Sequence, residues 1–174
     1  MKSGRIKLKK PEWDDIKFIQ WLWSDPETMN QVGGPIILDD QKAELWFERM
    51  ISPGSYTDCY RLILDQDSIP VGEISYHRLD PKTMTAEFNI KIAKEFRRQG
   101  LSKDAMILFL DHFFNKSRGE VLIDKVALIN DIGIRTLLNF GFKYDPLVKD
   151  VFVLKITKEQ FNVLYQNMQY KWSS

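Results

Sequence analysis

The sequence predicts a single α+β domain over residues 1–174, with a mixed, mostly antiparallel sheet of about six to seven strands flanked by helices. Three observations predict it. Strand-type alternation returns three times between Cys59 and Ile92, interrupted only by short polar turns, the mark of an antiparallel meander. Two apolar helical segments, at 101–114 and 131–139, then alternate with further strands. With 44% hydrophobic and 28% charged residues, a chain of 174 residues is long enough to bury one real core.

Each element has its own signal. Residues 5–9 alternate Ile6 and Leu8 with basic residues, a short strand with one buried face. Pro11 suits the first turn of a helix, and Trp13, Ile16, Phe18, Ile19 and Trp23 recur at roughly helical spacing through Ser24. Asp39 or Asp40 caps a second helix that carries Ala43, Leu45, Trp46 and Met50. Strands follow at 59–65, 71–79 and 85–92, turning at Asp65-Gln66-Asp67-Ser68 and Asp80-Pro81-Lys82. Residues 101–114 are apolar on more than one stripe, a helix covered on most sides. After a strand at 121–128, a helix at 131–139 ends on Gly141. Residues 142–144 and 151–156 make a closing hairpin. The tail at 158–169 sets Phe161, Leu164, Tyr165 and Met168 on one helical face.

Composition excludes several function classes. Lys plus Arg is 25 and Asp plus Glu is 24, so the net charge of +1 offers no general attraction to nucleic acid or anionic membrane. The one cysteine, Cys59, forms neither an intramolecular disulfide nor a cysteine zinc cage, and no metal site is expected. The start has no apolar core of a leader, and no apolar run approaches about 18 residues. The expected location is cytoplasmic.

The residues richest in chemistry are Arg97-Arg98-Gln99-Gly100-Leu101-Ser102, between a strand and an apolar helix. A turn here aims free N–H groups and the positive helix end at one point, while Gly100 lets a ligand approach the backbone. A pyrophosphate is the natural guest, and a solvated basic turn is the plainer reading. Neither G-x-G-x-x-G nor G-x-x-x-x-G-K-[ST] occurs. A second segment, Asn130-Asp131-Ile132-Gly133-Ile134-Arg135-Thr136-Leu137-Leu138-Asn139-Phe140-Gly141-Phe142, follows a strand and ends in Gly-Phe.

Together the two segments resemble the GNAT superfamily of N-acetyltransferases. Arg97-x-x-Gly100-x-Ser102 is similar to its acetyl-CoA motif, R/Q-x-x-G-x-G/A, with Ser102 in the last small position. Asn130 through Phe142 is similar to its N-x-x-S/A-x-R-x-x-x-x-x-G-F segment, with Gly133 in place of Ser or Ala. The element order over 5–156 matches as well. The opening helix with Trp21-Leu22-Trp23 and Asp25-Pro26-Glu27 is similar to the branch of ribosomal-protein N-terminal acetyltransferases. Members carry a tyrosine, or in that branch a serine, that protonates the departing thiolate. Here those positions are Leu137 and Gly133, and both hydroxyls are missing.

The resemblance implies an acetyl-CoA-dependent N-acetyltransferase in which a primary amine attacks the thioester directly. The amine would be a small cationic amine, an antibiotic or a protein N-terminus. It implies that acetyl-CoA lies over Arg97, Arg98, Gln99, Gly100, Leu101 and Ser102, with its carbonyl on N–H groups of Ile90, Lys91 and Ile92. Asn130 would contact or shape the pantetheine channel. An ammonium with a pKa of about 10 must lose a proton first, so a base is wanted. Glu87 is the first candidate, followed by Glu73 and His77; a tight turn after Leu79 would set Ser75 opposite Glu87. Alternating polar residues on a strand are otherwise a solvated sheet face, and His112 is a packed or capping residue. Asp25, Glu27, Asp39, Asp40 and Glu44 make either a negative rim for a cationic amine or a set of helix caps. Trp21, Trp23 and Trp46 wall a pocket or pack in the core. Tyr165, Tyr170 and Trp172 close the pocket, cover the sheet or meet a second copy in a homodimer. The rival class is a GNAT-like acyl-CoA-binding module without transfer, and a ligand-free structural domain is the third.

Overall fold

The computed structural model describes residues 4–145 and 152–172. The first strand is β1, Lys7–Lys9, and a 3-10 turn at Trp13–Asp15 leads into α1, Ile16–Ser24. Asp25 then caps a four-residue helix, α2, Pro26–Met29, by accepting the Thr28 N–H at 2.9 Å. Asp39 caps α3, Asp40–Met50, taking the Lys42 N–H at 2.9 Å. The meander is β2, Cys59–Leu64, β3, Pro70–Asp80, and β4, Thr85–Ile92. Helix α4, Leu101–Asp111, leads to β5, Val121–Val126, and α5, Asp131–Phe140. Strands β6, Lys143–Asp145, and β7, Phe152–Thr157, precede α6, Lys158–Trp172.

One seven-stranded sheet runs in the order β1-β2-β3-β4-β5-β7-β6. Only the β4/β5 junction is parallel; the others are antiparallel. The α+β expectation therefore holds at seven strands.

Each sheet face has its own core. Ile74, Tyr76, Phe88, Leu122 and Leu154 face α4, α5 and Phe161 of α6. On the other face Tyr60, Leu62 and Leu64 pack with Ile16 and Ile19 of α1 and Ala43 and Trp46 of α3. Phe109, Phe113 and Phe114 are fully buried, each contributing on the order of 2 kcal/mol through apolar burial. Trp23 and Trp46 belong to this packing, 5.4 Å apart edge to face, whereas Trp13, Trp21 and Leu45 are exposed. Leu164 and Tyr165 lie partly buried on the core. The side chains of Met168, Tyr170 and Trp172 lie outside the described residues.

Three expectations are corrected. The helix over 101–114 is α-helical only to Asp111; a π turn, His112–Lys116, follows. Phe113 and Phe114 both enter the core from this wider turn. Strand β5 stops at Val126, where the Asn130 N–H turns back to the Ala127 carbonyl at 2.9 Å. The register of β3 and β4 also differs: Glu87 pairs with His77, and Ser75 with Asn89. The turn is longer than a tight one, and the register shifts between His77 and Asp80 around Arg78 at φ 54°.

Candidate functional site

The parallel ladder joining β4 to β5 covers only Thr85–Glu87 against Val121–Ile123, and the strands then separate. The Ala93 N–H bonds the Val71 carbonyl at 2.9 Å. Strand alternation therefore turns the backbone of Lys91 and Asn89 toward β3, and that of Ile90 and Ile92 toward β5, past the last paired residues. The Arg97 Nε donates to the Ile92 carbonyl at 2.9 Å, reaching into the same gap. Of the three residues expected to hold the acetyl oxygen, Ile90 and Ile92 thus aim their N–H groups at the opening. Lys91 offers its side chain instead.

A cavity of about 580 Å³ fills this gap, within the range of small-molecule sites. It runs from Arg97, Arg98, Gly100, Leu101 and Ser102 past Ile90, Lys91 and Ile92 to Asn130, Gly133 and Leu137. Gln99 is not among its lining residues; its carbonyl accepts from Arg5 Nη1 at 3.0 Å. Arg5 also bonds the buried Asp104 through Nε at 2.8 Å, so one guanidinium braces the turn from beneath. Gly100 sits at φ 77°, and a Cβ there would lie 3.2 Å from the Arg5 guanidinium. The position suits glycine for its backbone angle and for that close approach. The result is a basic turn that, with the first residues of α4, borders the cavity, a setting that suits a pyrophosphate.

On α5, the Asn130 side chain accepts the Gly133 N–H at 2.8 Å and caps the helix. A Cβ on Gly133 would come within 2.5 Å of that side chain. Cap and glycine therefore belong together.

The three base candidates share the α1/α3 face of the sheet, but none lines the cavity. Glu73 is buried, ion-paired to Lys91 at 2.6 Å, and accepts from Trp23 Nε1 at 2.8 Å and from the Tyr60 hydroxyl. Burial and the neighbouring Glu73 charge push the Tyr60 phenol well up, so it remains the donor. Glu87 is held between Lys125 at 2.9 Å and Arg78 at 3.0 Å. The Lys125 hydrogen bond, joined by the field of both cations, keeps its carboxyl below the usual range, although partial burial opposes this. His77 bonds Ser75 through Nε2 at 2.9 Å and approaches Asp58 through Nδ1 at 3.3 Å. Burial lowers its pKa, against the pull of Asp58, and keeps the imidazole neutral. Asn89, the register partner of Ser75, borders the cavity beside this chain.

Sequence reasoning missed Asp124. It lines the cavity from β5, and burial pushes its carboxyl up to about 7, while Lys91 opposes and Glu87 reinforces the shift. One acid within Val-Leu-Ile-Asp-Lys-Val carries no local signal; its place beyond the end of the β4/β5 ladder is a tertiary fact.

Four of the five acids expected to form a negative rim are engaged elsewhere. Asp25 and Asp39 cap helices, Asp40 accepts from Gln20 at 3.3 Å, and Glu27 pairs with Lys94. The segment meets the cavity through the neutral Thr28, Gln31, Val32 and Gly33. Among the described residues no group of His, Cys, Asp and Glu is arranged to hold a metal ion, and no helix is long and apolar enough to cross a membrane.

The chain is similar to known proteins in sequence and in fold. Residues 5–143 match the family described as Acetyltransferase (GNAT) domain. An uncharacterized N-acetyltransferase, p20, from Bacillus licheniformis is 20% identical over 150 residues, 85% of this chain and 84% of that protein. Spermidine N-acetyltransferase from Vibrio cholerae, solved with CoA and spermine, superposes with a TM-score of 0.81 at 20% identity, covering 92% of this chain and 99% of that one. A dodecameric structure of spermidine N-acetyltransferase from the same organism gives 0.76 at 18% identity, over 91% and 97%. With a family match spanning most of its length and a cavity placed where its strands part, the chain belongs to the Acetyltransferase (GNAT) domain family and is by family an N-acetyltransferase.

Proposed function

We propose that the protein transfers the acetyl group of acetyl-CoA to a primary amine by direct attack within a ternary complex. The observation that carries this reading is the continuous cavity from the 97–102 turn to the open backbone of Ile90 and Ile92. In this reading the pyrophosphate rests on Arg97, Arg98, Gly100, Leu101 and Ser102. The acetyl oxygen accepts from the Ile90 or Ile92 N–H, which stabilises the charge that develops there. Gln99 acts through its carbonyl bond to Arg5, and Asn130 shapes the channel as a helix cap.

For the base, the geometry favours His77 over Glu87 and Glu73. A neutral imidazole oriented by Asp58 and linked to Ser75 can take a proton. Glu87 and Glu73 are each committed to cations. The acceptor is a primary amine of the small cationic, antibiotic or protein N-terminal kind. Spermidine belongs in the trial set because the spermidine N-acetyltransferases share this fold. The working location is the cytoplasm, with a second copy of the chain as a possible homodimer partner.

Calorimetric titration with acetyl-CoA, with adenosine as the control lacking pyrophosphate and thioester, tests the cosubstrate. Thiol release across a panel of amines then tests transfer. Saturable binding that adenosine does not match, with amine-dependent CoA release, is expected. Binding without release by any amine would favour an acyl-CoA-binding module, and no binding would overturn the reading.

A further inference from the structure

We propose that Asp124 is the general acid of the transfer, giving its carboxyl proton to the CoA sulfur as that sulfur leaves. The inference rests on the acetyl-transfer reading and supplies what Leu137 and Gly133 cannot. The last paired residue of β5 is Ile123, opposite Glu87 on the α1/α3 face. Asp124 therefore turns to the α4/α5 face, in step with the buried Leu122 and Val126. Leu137 of α5 is buried on that same face, and both Leu137 and Asp124 line the cavity. An acid thus lines the same cavity as Leu137 and Gly133, the two α5 positions that carry no hydroxyl.

Other proton carriers in the cavity suit the role less well. Arg97 and Arg98 do not deprotonate in proteins. Lys91 is committed to Glu73, and Lys125 is committed to Glu87. The charged groups that act on Asp124 are Lys91 and Glu87 of β4. The lining residues that α5 contributes, Ile132, Gly133, Thr136 and Leu137, are all uncharged. Across the β5/β7 ladder its register partner is the buried Leu154. Burial favours the neutral carboxyl more than Lys91 opposes it, and a midpoint of about 7 leaves a sizeable protonated fraction at neutral pH. A thiol of ordinary pKa about 8.5 lies above that midpoint, so the transfer runs downhill.

The step balances. The amine nitrogen forms its bond to the acetyl carbon, the carbon–sulfur bond breaks, and its electron pair goes to sulfur. The Asp124 O–H proton joins that pair to give the free thiol and leaves a carboxylate. The nitrogen releases one proton to the base and then to water, and Asp124 takes one back from water.

The test compares two acetyl donors in wild type and Asp124→Asn. With acetyl-CoA, the variant should lose about a hundredfold or more in turnover while acetyl-CoA affinity stays within about twofold. With S-acetyl-4-nitrothiophenol, whose thiolate departs without a proton, the variant should match wild type in kcat/KM. Equal loss with both donors would overturn the assignment, as would full activity with acetyl-CoA. Carbon-13 NMR of the wild-type carboxyl, without any donor, gives a second readout: a midpoint near 7 is expected, and one near 4 would sink the idea. Failure of the wild type itself to release CoA would count against acetyl transfer, a result separable from all of these.

Discussion

Glu73 and Lys91 meet at 2.6 Å within the sheet, their side chains only 1% and 11% exposed. Lys91 Nζ also bonds Asn89 Oδ1 at 2.8 Å and lies 5.7 Å from the Trp23 ring centroid. The pair fixes a cation at the wall of the cavity and ties it to α1 through Trp23 and to β2 through Tyr60.

Lys91→Met should be strongly destabilising, because it leaves the Glu73 charge buried with neutral donors only; a loss of about 3–5 kcal/mol is expected. Adding Glu73→Gln should restore part of it. Urea unfolding of both variants checks this, and a double variant no more stable than Lys91→Met would show that the charge is not what matters.

Asp124→Asn should stabilise the protein at alkaline pH. The folded-state pKa is raised from 3.8 to about 7, so the folded state holds a proton that the unfolded chain has lost. The penalty is absent below the unfolded pKa, grows as pH rises, and is complete above the folded one, at roughly 4 kcal/mol as an upper bound. Melting temperatures at pH 4.5 and pH 8.5 read this: the gain should be near its largest at the higher pH and small at the lower.

His77 and His112 work in the other direction. Both pKa values are lowered from 6.5, chiefly by burial. The unfolded chain therefore takes up protons first, and stability should be fully present above 6.5 and fall as pH drops toward the folded values. Replacing His77 with Gln should flatten that fall in a stability profile between pH 7 and pH 5. An unchanged profile would remove His77 from the acid sensitivity.

Gly100→Ala should weaken acetyl-CoA binding by about tenfold with the fold retained. A side chain at φ 77° is strained by about 1 kcal/mol or more, and its Cβ meets the Arg5 guanidinium that braces Gln99. Calorimetry and circular dichroism separate the two effects, and unaltered affinity would deny the turn its role in binding.

Gly133→Ser should bring back a hydroxyl without bringing back rate. Its Cβ would displace the Asn130 side chain, 2.5 Å away, and loosen the α5 cap, at a cost of about 1 kcal/mol. Reduced melting temperature with no gain in turnover is expected. A faster enzyme would mean that the hydroxyl reaches the sulfur despite the lost cap.

Much of this architecture was legible because it is local. Strand β4 matches its expected span, 85–92, since alternation there is uninterrupted. Asp39 serves as the expected cap of α3. What stayed hidden depends on contacts distant in sequence or on non-ideal turns. Helix α2 is four residues long and has no periodicity to read. The pairing of Glu87 with His77 depends on an irregularity at Arg78 that no residue type announces. The acetyl-CoA motif marked a turn that borders the cavity, but it could not show that the Gln99 carbonyl accepts from Arg5 and that Gln99 stays out of the lining. Asp124 became visible only once the strands were seen to part.

The three-residue junction between β4 and β5 has a consequence for folding. Strands β1–β4 come from one continuous stretch of chain and β5–β7 from the next, so every strand pairing except β4/β5 forms within one half. The halves then share a short seam and the helices laid across it. Such units open partly independently in native-state hydrogen exchange. A ligand seated in the gap grips both, so its binding energy should slow exchange in β1–β4 and in β5–β7 together, fusing two cooperative units into one.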